Sequence, residues 1–198
     1  MKHLLLILSG LFIFVLVSQS AETEVVESYS LVSAKSSMKI VGTSNLHDWE
    51  MTLKNIECYG TIINYGNNVI KLKNAILKTN VKEINSQYDL MDKIAHGAMK
   101  AKEFPVISFK AFNTKKLSEN NQSVNGQIIG DLLISGISKQ KSISVEAKIL
   151  DDEMVNISGN VPIKMTDFGI NPPKYMMGAL KTDDEVHVIF YLTFRKII

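Results

Sequence analysis

The chain has 198 residues, 45% of them hydrophobic, and its 22 basic and 20 acidic residues leave a formal net charge of only +2. A charge so close to zero, without a local basic cluster, argues against nucleic acid or an anionic membrane surface as the main partner. The length suits one domain with a full hydrophobic core. The single cysteine, Cys58, excludes an internal disulfide and a thiolate zinc cluster, and we expect it to be a buried, unreactive thiol.

The N-terminus has the pattern of a secretory signal peptide. Lys2 precedes an uncharged apolar run over residues 4–17, and small residues follow up to Ser20. This run is shorter than the roughly 20 residues of a membrane-spanning helix. We therefore expect cleavage near Ser20, which removes residues 1–20 and leaves residues 21–198 as a single domain in the periplasm or outside the cell. The alternative is that the run is retained as a membrane anchor.

Alternation of apolar and polar side chains dominates the rest of the chain and predicts antiparallel strands. The clearest runs are residues 143–149, 155–165 and 186–194. In the last two runs, Asn156 and Thr193 fall on the polar side. Short turn sequences separate neighbouring runs, which favours hairpins over the crossovers of a parallel sheet. Such strands can bury their apolar faces in a two-sheet sandwich or in a closed barrel, and alternation does not choose between them.

Polar residues that suggest chemistry occur together at His47 and Asp48, just before Trp49, the only tryptophan. A histidine beside an aspartate could act as a general base in a small exported enzyme. Adjacent residues of a strand point to opposite faces, however, so a structural turn is the favoured interpretation. Trp49 could line a cavity or fill the core. The histidines of the predicted domain are too far apart in sequence to indicate a metal site.

Residues 86–102 have helical rather than alternating spacing. Leu90 and Ile94 share one face with Ala98, and Ser86 is the expected N-cap. We therefore predict one short helix in an otherwise all-β chain.

Four stretches of the sequence have a familiar order and spacing. They are GTSNLHDW (residues 42–49), AMKAKEFPVISF (98–109), GDLLISGISK (130–139) and MTDFGI (165–170). Together they resemble the YceI-like family of exported polyisoprenoid-binding proteins, and the resemblance extends over residues 28–194. It implies an extended, antiparallel, lipocalin-like β-barrel whose interior holds a long isoprenoid chain, such as a quinone tail. The family offers no catalytic residue to carry over.

The candidate ligand-contacting residues come from this resemblance and from two irregular segments rich in methionine and aromatic residues. We expect the apolar cavity or its mouth to include Leu46, Trp49, Met91, Phe104, Phe109, Phe168, Met176, Met177, Leu180 and Phe190. His47 and Asp48 are expected near the polar head of the ligand. We expect no catalysis, cofactor or metal, and an apolar isoprenoid lipid or quinone as partner. Transient membrane contact and a homodimer are further hypotheses.

Two alternatives to a lipid-binding barrel stay open. One is the small exported enzyme that uses His47 and Asp48, and the other is an interaction module without a ligand, whose core is filled. A continuous apolar void of several hundred Å³, typical of ligand sites, favours binding over the filled core.

Overall fold

The computed structural model describes residues 24–65, 69–119, 123–151 and 153–197. The predicted signal peptide at residues 1–20 lies outside the described residues. The described part contains one α-helix, α1 (Asp89–Ala98), and short 3-10 helices at Ser33–Lys35, Val81–Glu83, Met165–Phe168 and Met176–Gly178. Its strands are β1 (Glu24–Leu31), β2 (Ser37–Ser44), β3 (Trp49–Leu53), β4 (Glu57–Tyr65), β5 (Val69–Asn80), β6 (Ile84–Asn85), β7 (Val106–Glu119), β8 (Ser123–Ile134), β9 (Ile137–Ile149), β10 (Met154–Lys164), β11 (Lys174–Tyr175) and β12 (Leu180–Ile197).

The sheet closes on itself because β1 pairs on one side with β4 and on the other with β12. Ser28, for example, lies opposite Thr61 of β4 and Ile197 of β12. The closed path runs β1-β4-β5-β7-β8-β9-β10-β12, and all of its pairings are antiparallel. Each of these eight strands therefore pairs with a neighbour on both sides over at least part of its length, and none is the terminal strand of an open sheet. The prediction of a mainly β, antiparallel barrel with one helix is confirmed, and the two-sheet sandwich is excluded.

A second group of strands extends one end of the barrel. The long strand β12 pairs with β1 near its C-terminus and with β2 over residues 182–191, nearer its start. From β2 the sheet continues to β3 and then to β6. Helix α1 follows β6 in the chain, and its last residue, Ala98, packs against the buried cluster that contains Phe168 and Val186 at the end of the barrel where β12 begins.

The loop before α1 differs from its prediction. The N-cap is Tyr88, which makes no side-chain capping bond, and not Ser86. The Ser86 hydroxyl instead donates to a carboxylate oxygen of Asp92 at 2.7 Å and accepts from the Tyr88 N–H at 3.0 Å. Ser86 therefore fixes the loop two residues ahead of the N-cap, where its hydroxyl reaches Asp92 in the first turn of the helix.

Asn156 and Thr193 are buried, although alternation places them on the polar side of their strands. Each is only 1% exposed. The segment between β1 and β2 contacts Thr193 on the outside of the barrel: Thr193 donates to the Lys35 carbonyl at 2.9 Å, and its N–H donates to Ser36 Oγ at 3.0 Å. Asn156 donates to the Leu192 carbonyl at 3.2 Å. The alternation of apolar and polar residues shows only which side chains share a face of a strand. It cannot show that another segment of the chain buries part of the outer face.

The 3-10 helix Met165–Phe168 is anchored by its polar residues to the neighbouring strands. The N–H and hydroxyl of Thr166 donate to Asp184 at 2.8 and 2.6 Å. Asp167 accepts a hydrogen bond from Lys139 at 3.0 Å, which lowers the pKa of that carboxyl below its usual value. Phe168 is thereby directed inward and is completely buried.

Candidate ligand-binding cavity

The barrel encloses a cavity of about 1130 Å³. This volume is slightly above the roughly 300–1,000 Å³ of typical ligand sites. The side chains around it come from the inner faces of the barrel strands, from the β2-β3-β6 extension, from α1 and from residues 165–182. A core packed to normal density would leave no space of this size, so the filled-core alternative does not describe this barrel.

The two ends of the cavity differ in polarity. Around the end where β12 finishes, the wall is formed by apolar or weakly polar side chains, among them Tyr29, Cys58, Leu77, Leu192 and Phe194. Around the end where β12 begins, the wall includes the polar side chains of His47, Asp48, Ser86, Gln87, Lys174 and Thr182. We call the latter end the mouth. A long molecule with one polar terminus fits this gradient with its apolar part inside.

His47 and Asp48 lie in the turn between β2 and β3, and both side chains are exposed at the mouth. Ser44 organises this turn: its Oγ accepts from the His47 N–H at 3.2 Å and donates to the His47 carbonyl at 2.8 Å. Within the described ranges, no hydrogen bond or ion pair joins the imidazole of His47 to the carboxylate of Asp48. These contacts make the motif an ordered turn beside the cavity.

A second contact fixes the turn to the opposite side of the mouth. The amide of Asn45 donates to the Ala179 carbonyl at 2.8 Å, and its oxygen accepts from the Lys181 N–H at 2.8 Å. The β2–β3 turn and the segment that leads into β12 are thus held side by side.

The structure brings most of the candidate residues to the cavity wall. Those that line it are His47, Asp48, Trp49, Met91, Phe109, Phe168, Leu180 and Phe190. Trp49 does so while half-buried, and its indole N–H donates to the Thr43 carbonyl at 3.1 Å. That these side chains contact a ligand stays a prediction.

Three candidates lie away from the cavity wall. Leu46 is 67% exposed because it occupies the tip of the β2–β3 turn, and Met177 is fully exposed on a backbone with φ of 56°. The ring of Phe104 packs on Gly136, where a Cβ would come within 2.6 Å of it. The side chain of Met176 lies outside the described part of the structure.

Several small residues on the inner face of the barrel line the cavity but were not among the candidates predicted from the sequence. Gly60, Ala75 and Ala111 line the cavity, where larger side chains would reduce its volume. Glycine or alanine at an inward position of an alternating strand is the signal that reveals such a space, but it is visible only once the strand register is known.

The histidines of the described chain serve separate structural roles. His96 Nε2 lies 2.7 Å from the Ile84 carbonyl, which connects α1 to β6, and His187 Nδ1 lies 2.9 Å from Asn160 Oδ1 on the outer surface. Among the described residues, no three His, Cys, Asp or Glu side chains are grouped as metal ligands. Nor does the described chain contain a helix that is long and apolar enough to cross a membrane.

Cys58 faces the cavity and is half-buried, opposite Leu77 of the neighbouring strand. Burial raises the pKa of its thiol from 9.0 to about 11. Because only the thiolate reacts, at pH 8 a thiol reagent is expected to modify the folded protein about 100-fold more slowly than the unfolded chain. Timed labelling with a chromogenic disulfide, with and without denaturant, checks this. Equal rates would contradict the burial of the thiol.

Comparison with known families agrees with the closed barrel and its cavity. A model of the YceI-like domain matches residues 24–194, most of the chain. The chain belongs to the YceI-like family. The resemblance found in the sequence is thereby confirmed, and this YceI-like protein is a closed antiparallel barrel.

Solved structures similar to this YceI-like protein share its fold at low sequence identity. BcnA of Burkholderia cenocepacia has a TM-score of 0.67 and 17% identity over 83% of this chain and 99% of its own. A polyisoprenoid binding domain from Saccharophagus degradans has a TM-score of 0.63 and 13% identity, covering 86% of this chain and 99% of its own. The YCEI protein of Campylobacter jejuni has a TM-score of 0.58 and 18% identity, covering 79% and 85%. A search of curated proteins finds no match.

Proposed function

We propose that this YceI-like barrel binds a long apolar lipid of the isoprenoid type, a quinone among the candidates, and acts as a carrier or buffer without catalysis. The observation that carries the proposal is the cavity of about 1130 Å³, apolar at its inner end and polar at its mouth. The described similarity to a polyisoprenoid binding domain supports this class of ligand.

The gradient of polarity favours entry of the lipid with its chain first. Each methylene group that leaves water for an apolar wall gains about 0.8 kcal/mol. A lipid that comes from a bilayer gains far less, because it moves from one apolar medium to another. Selectivity then depends on the length and width of the cavity and on the few polar groups at the mouth, such as His47 and Asp48.

The compartment is part of the same proposal. The signal-peptide pattern over residues 1–20 favours export, with cleavage near Ser20 and a mature protein in the periplasm or outside the cell. The intact mass of protein recovered from its native host tests this. A mass that still includes residues 1–20 would contradict cleavage.

The bound lipid itself provides the test of function. Protein purified from a host that makes isoprenoid lipids is extracted with organic solvent, and the extract is analysed by mass spectrometry. We expect a polyprenyl lipid at close to one molecule per barrel. Titration of delipidated protein with a polyprenyl alcohol should also change the emission of Trp49, the only tryptophan and part of the cavity wall. Extracts without a stoichiometric apolar lipid, together with unchanged Trp49 emission, would overturn the proposal.

We further propose that the mouth touches a membrane surface while the lipid exchanges. Three separate segments around the mouth expose large apolar or aromatic side chains: Leu46 in the β2–β3 turn, Tyr88 and Leu90 at the start of α1, and Tyr175 and Met177 ahead of β12. Met177 adopts a left-handed backbone conformation that costs energy in a residue other than glycine. Apolar groups at the opening of an apolar cavity would shorten the path of the lipid through water.

Met177→Asp in combination with Leu46→Asp is expected to weaken sedimentation with phosphatidylcholine vesicles about tenfold, because the charges oppose insertion of the mouth. The matched control is Ile149→Asp, since Ile149 is 59% exposed at the opposite end of the barrel. Equal loss in both proteins would contradict a docking surface at the mouth. Wild-type protein that does not sediment with vesicles, but binds another protein instead, would also contradict a membrane-docking surface at the mouth.

A further inference from the structure

Three aromatic rings of the cavity wall lie directly against glycines of the neighbouring strand. Gly42 of β2 is paired with Trp49 of β3, and Gly159 of β10 is paired with Phe190 of β12. A Cβ on Gly42 would overlap the indole ring, and a Cβ on Gly159 would come within 2.6 Å of the Phe190 ring. Phe109 has the same relation to its diagonal neighbour Gly130, at 2.7 Å.

The missing Cβ atoms give these rings their position. A ring that lies over glycine can remain against the wall, whereas a side chain at that position would push the ring toward the centre of the cavity. Glycine inside a strand costs about 0.5–1 kcal/mol relative to alanine, so it commonly marks a close approach by another group. Here the approaching group is each time an aromatic side chain that lines the cavity.

We propose that Gly42, Gly130 and Gly159 set the open width of the cavity and thereby select the cross-section of the lipid chain. This inference rests on the proposed function, lipid binding, and names the residues that determine which lipid chains the cavity accepts. A methyl-branched isoprenoid chain is wider than a straight chain of the same length. With the rings on their glycines the cavity accepts the branched chain, and with a ring displaced inward it retains only the straight one.

Gly42 is the position that tests this idea most directly. The nearest atoms to a Cβ there all belong to the indole of Trp49. At Gly130 and Gly159 a Cβ would also come within 2.5 and 2.8 Å of backbone carbonyl oxygens, so substitution there threatens the sheet itself. A displaced indole would also strain its 3.1 Å hydrogen bond to the Thr43 carbonyl, so Trp49 emission reports the movement without any ligand.

The experiment compares Gly42→Ala with wild type for binding of geranylgeraniol and of the unbranched alcohol with the same main-chain length. We expect shifted Trp49 emission in the lipid-free variant, about tenfold weaker binding of geranylgeraniol and little change for the unbranched alcohol. The matched control is Gly97→Ala on α1, where a Cβ would have no neighbour within 4 Å. Adding Trp49→Leu to Gly42→Ala should restore geranylgeraniol binding, because leucine is smaller than the displaced indole and leaves the cavity wide enough for the branched chain.

The possible results distinguish a failure of the proposed lipid binding from a failure of the proposed role of the glycines. Wild-type protein that binds neither alcohol would overturn the proposed function and the selectivity with it. Wild-type binding combined with unchanged Trp49 emission in Gly42→Ala, or with equal loss of both alcohols, would overturn the role of the glycines alone. A Gly42→Ala protein that does not fold, and whose folding and binding Trp49→Leu does not rescue, would also overturn it.

Discussion

Replacing Phe168 with alanine is expected to lower the free energy of unfolding by about 3–5 kcal/mol. Phe168 is completely buried within an apolar cluster that includes Val161 and Val186. On its outer side, the ammonium groups of Lys139 and Lys141 lie 6.0 and 5.9 Å from the ring centroid. Removal of the ring therefore takes away packing on the core side and a cation–π contact at the surface.

Chemical denaturation followed by Trp49 fluorescence measures this loss. The matched control is Leu46→Ala, since Leu46 is 67% exposed at the tip of its turn, and its truncation should change stability by less than about 0.5 kcal/mol. A similar loss in both variants would show that Phe168 is not the anchor of its cluster.

Ala111→Trp is expected to reduce lipid binding more than tenfold without unfolding the barrel. Ala111 lies on the inner face of β7 and lines the cavity, so the indole would enter space that the lipid needs. Because the ring enters an existing cavity rather than a dense core, overpacking should be small and the midpoint of thermal unfolding should change little.

The neighbouring residue supplies the control for this blocking variant. Phe112 is 51% exposed on the outside of the same strand, so Phe112→Trp introduces the same ring without narrowing the cavity. Lipid recovered by organic extraction, quantified by mass spectrometry, measures the effect. Equal lipid content in Ala111→Trp and Phe112→Trp would argue that the lipid does not occupy this cavity.

The strands could be predicted from the sequence because an antiparallel barrel repeats its inside–outside alternation along each strand. Val155, Ile157, Val161 and Ile163 are all buried on the inner face of β10, as their spacing predicts. Closure was not predictable from alternation, since it depends on which strands pair across the whole chain. It followed only from the family resemblance, which the pairing of β1 with β12 confirms in detail.

The cavity wall was harder to predict than the fold. Side chains on regular strands, such as Phe109 and Phe190, lie where alternation places them. Leu46 and Met177 do not, because they belong to turns whose side-chain directions follow no period. The packing of the aromatic rings on Gly42, Gly130 and Gly159 could not be predicted either, because a glycine indicates such a contact only when its cross-strand neighbour is known.

The pairing of β1 with β12 also has a consequence for how the protein folds. Ser28 and Ile197 come from nearly opposite ends of the described chain, yet they lie opposite each other in the closing ladder. The barrel therefore cannot complete its hydrogen bonding until the final strand is present, and contacts between such distant residues form slowly.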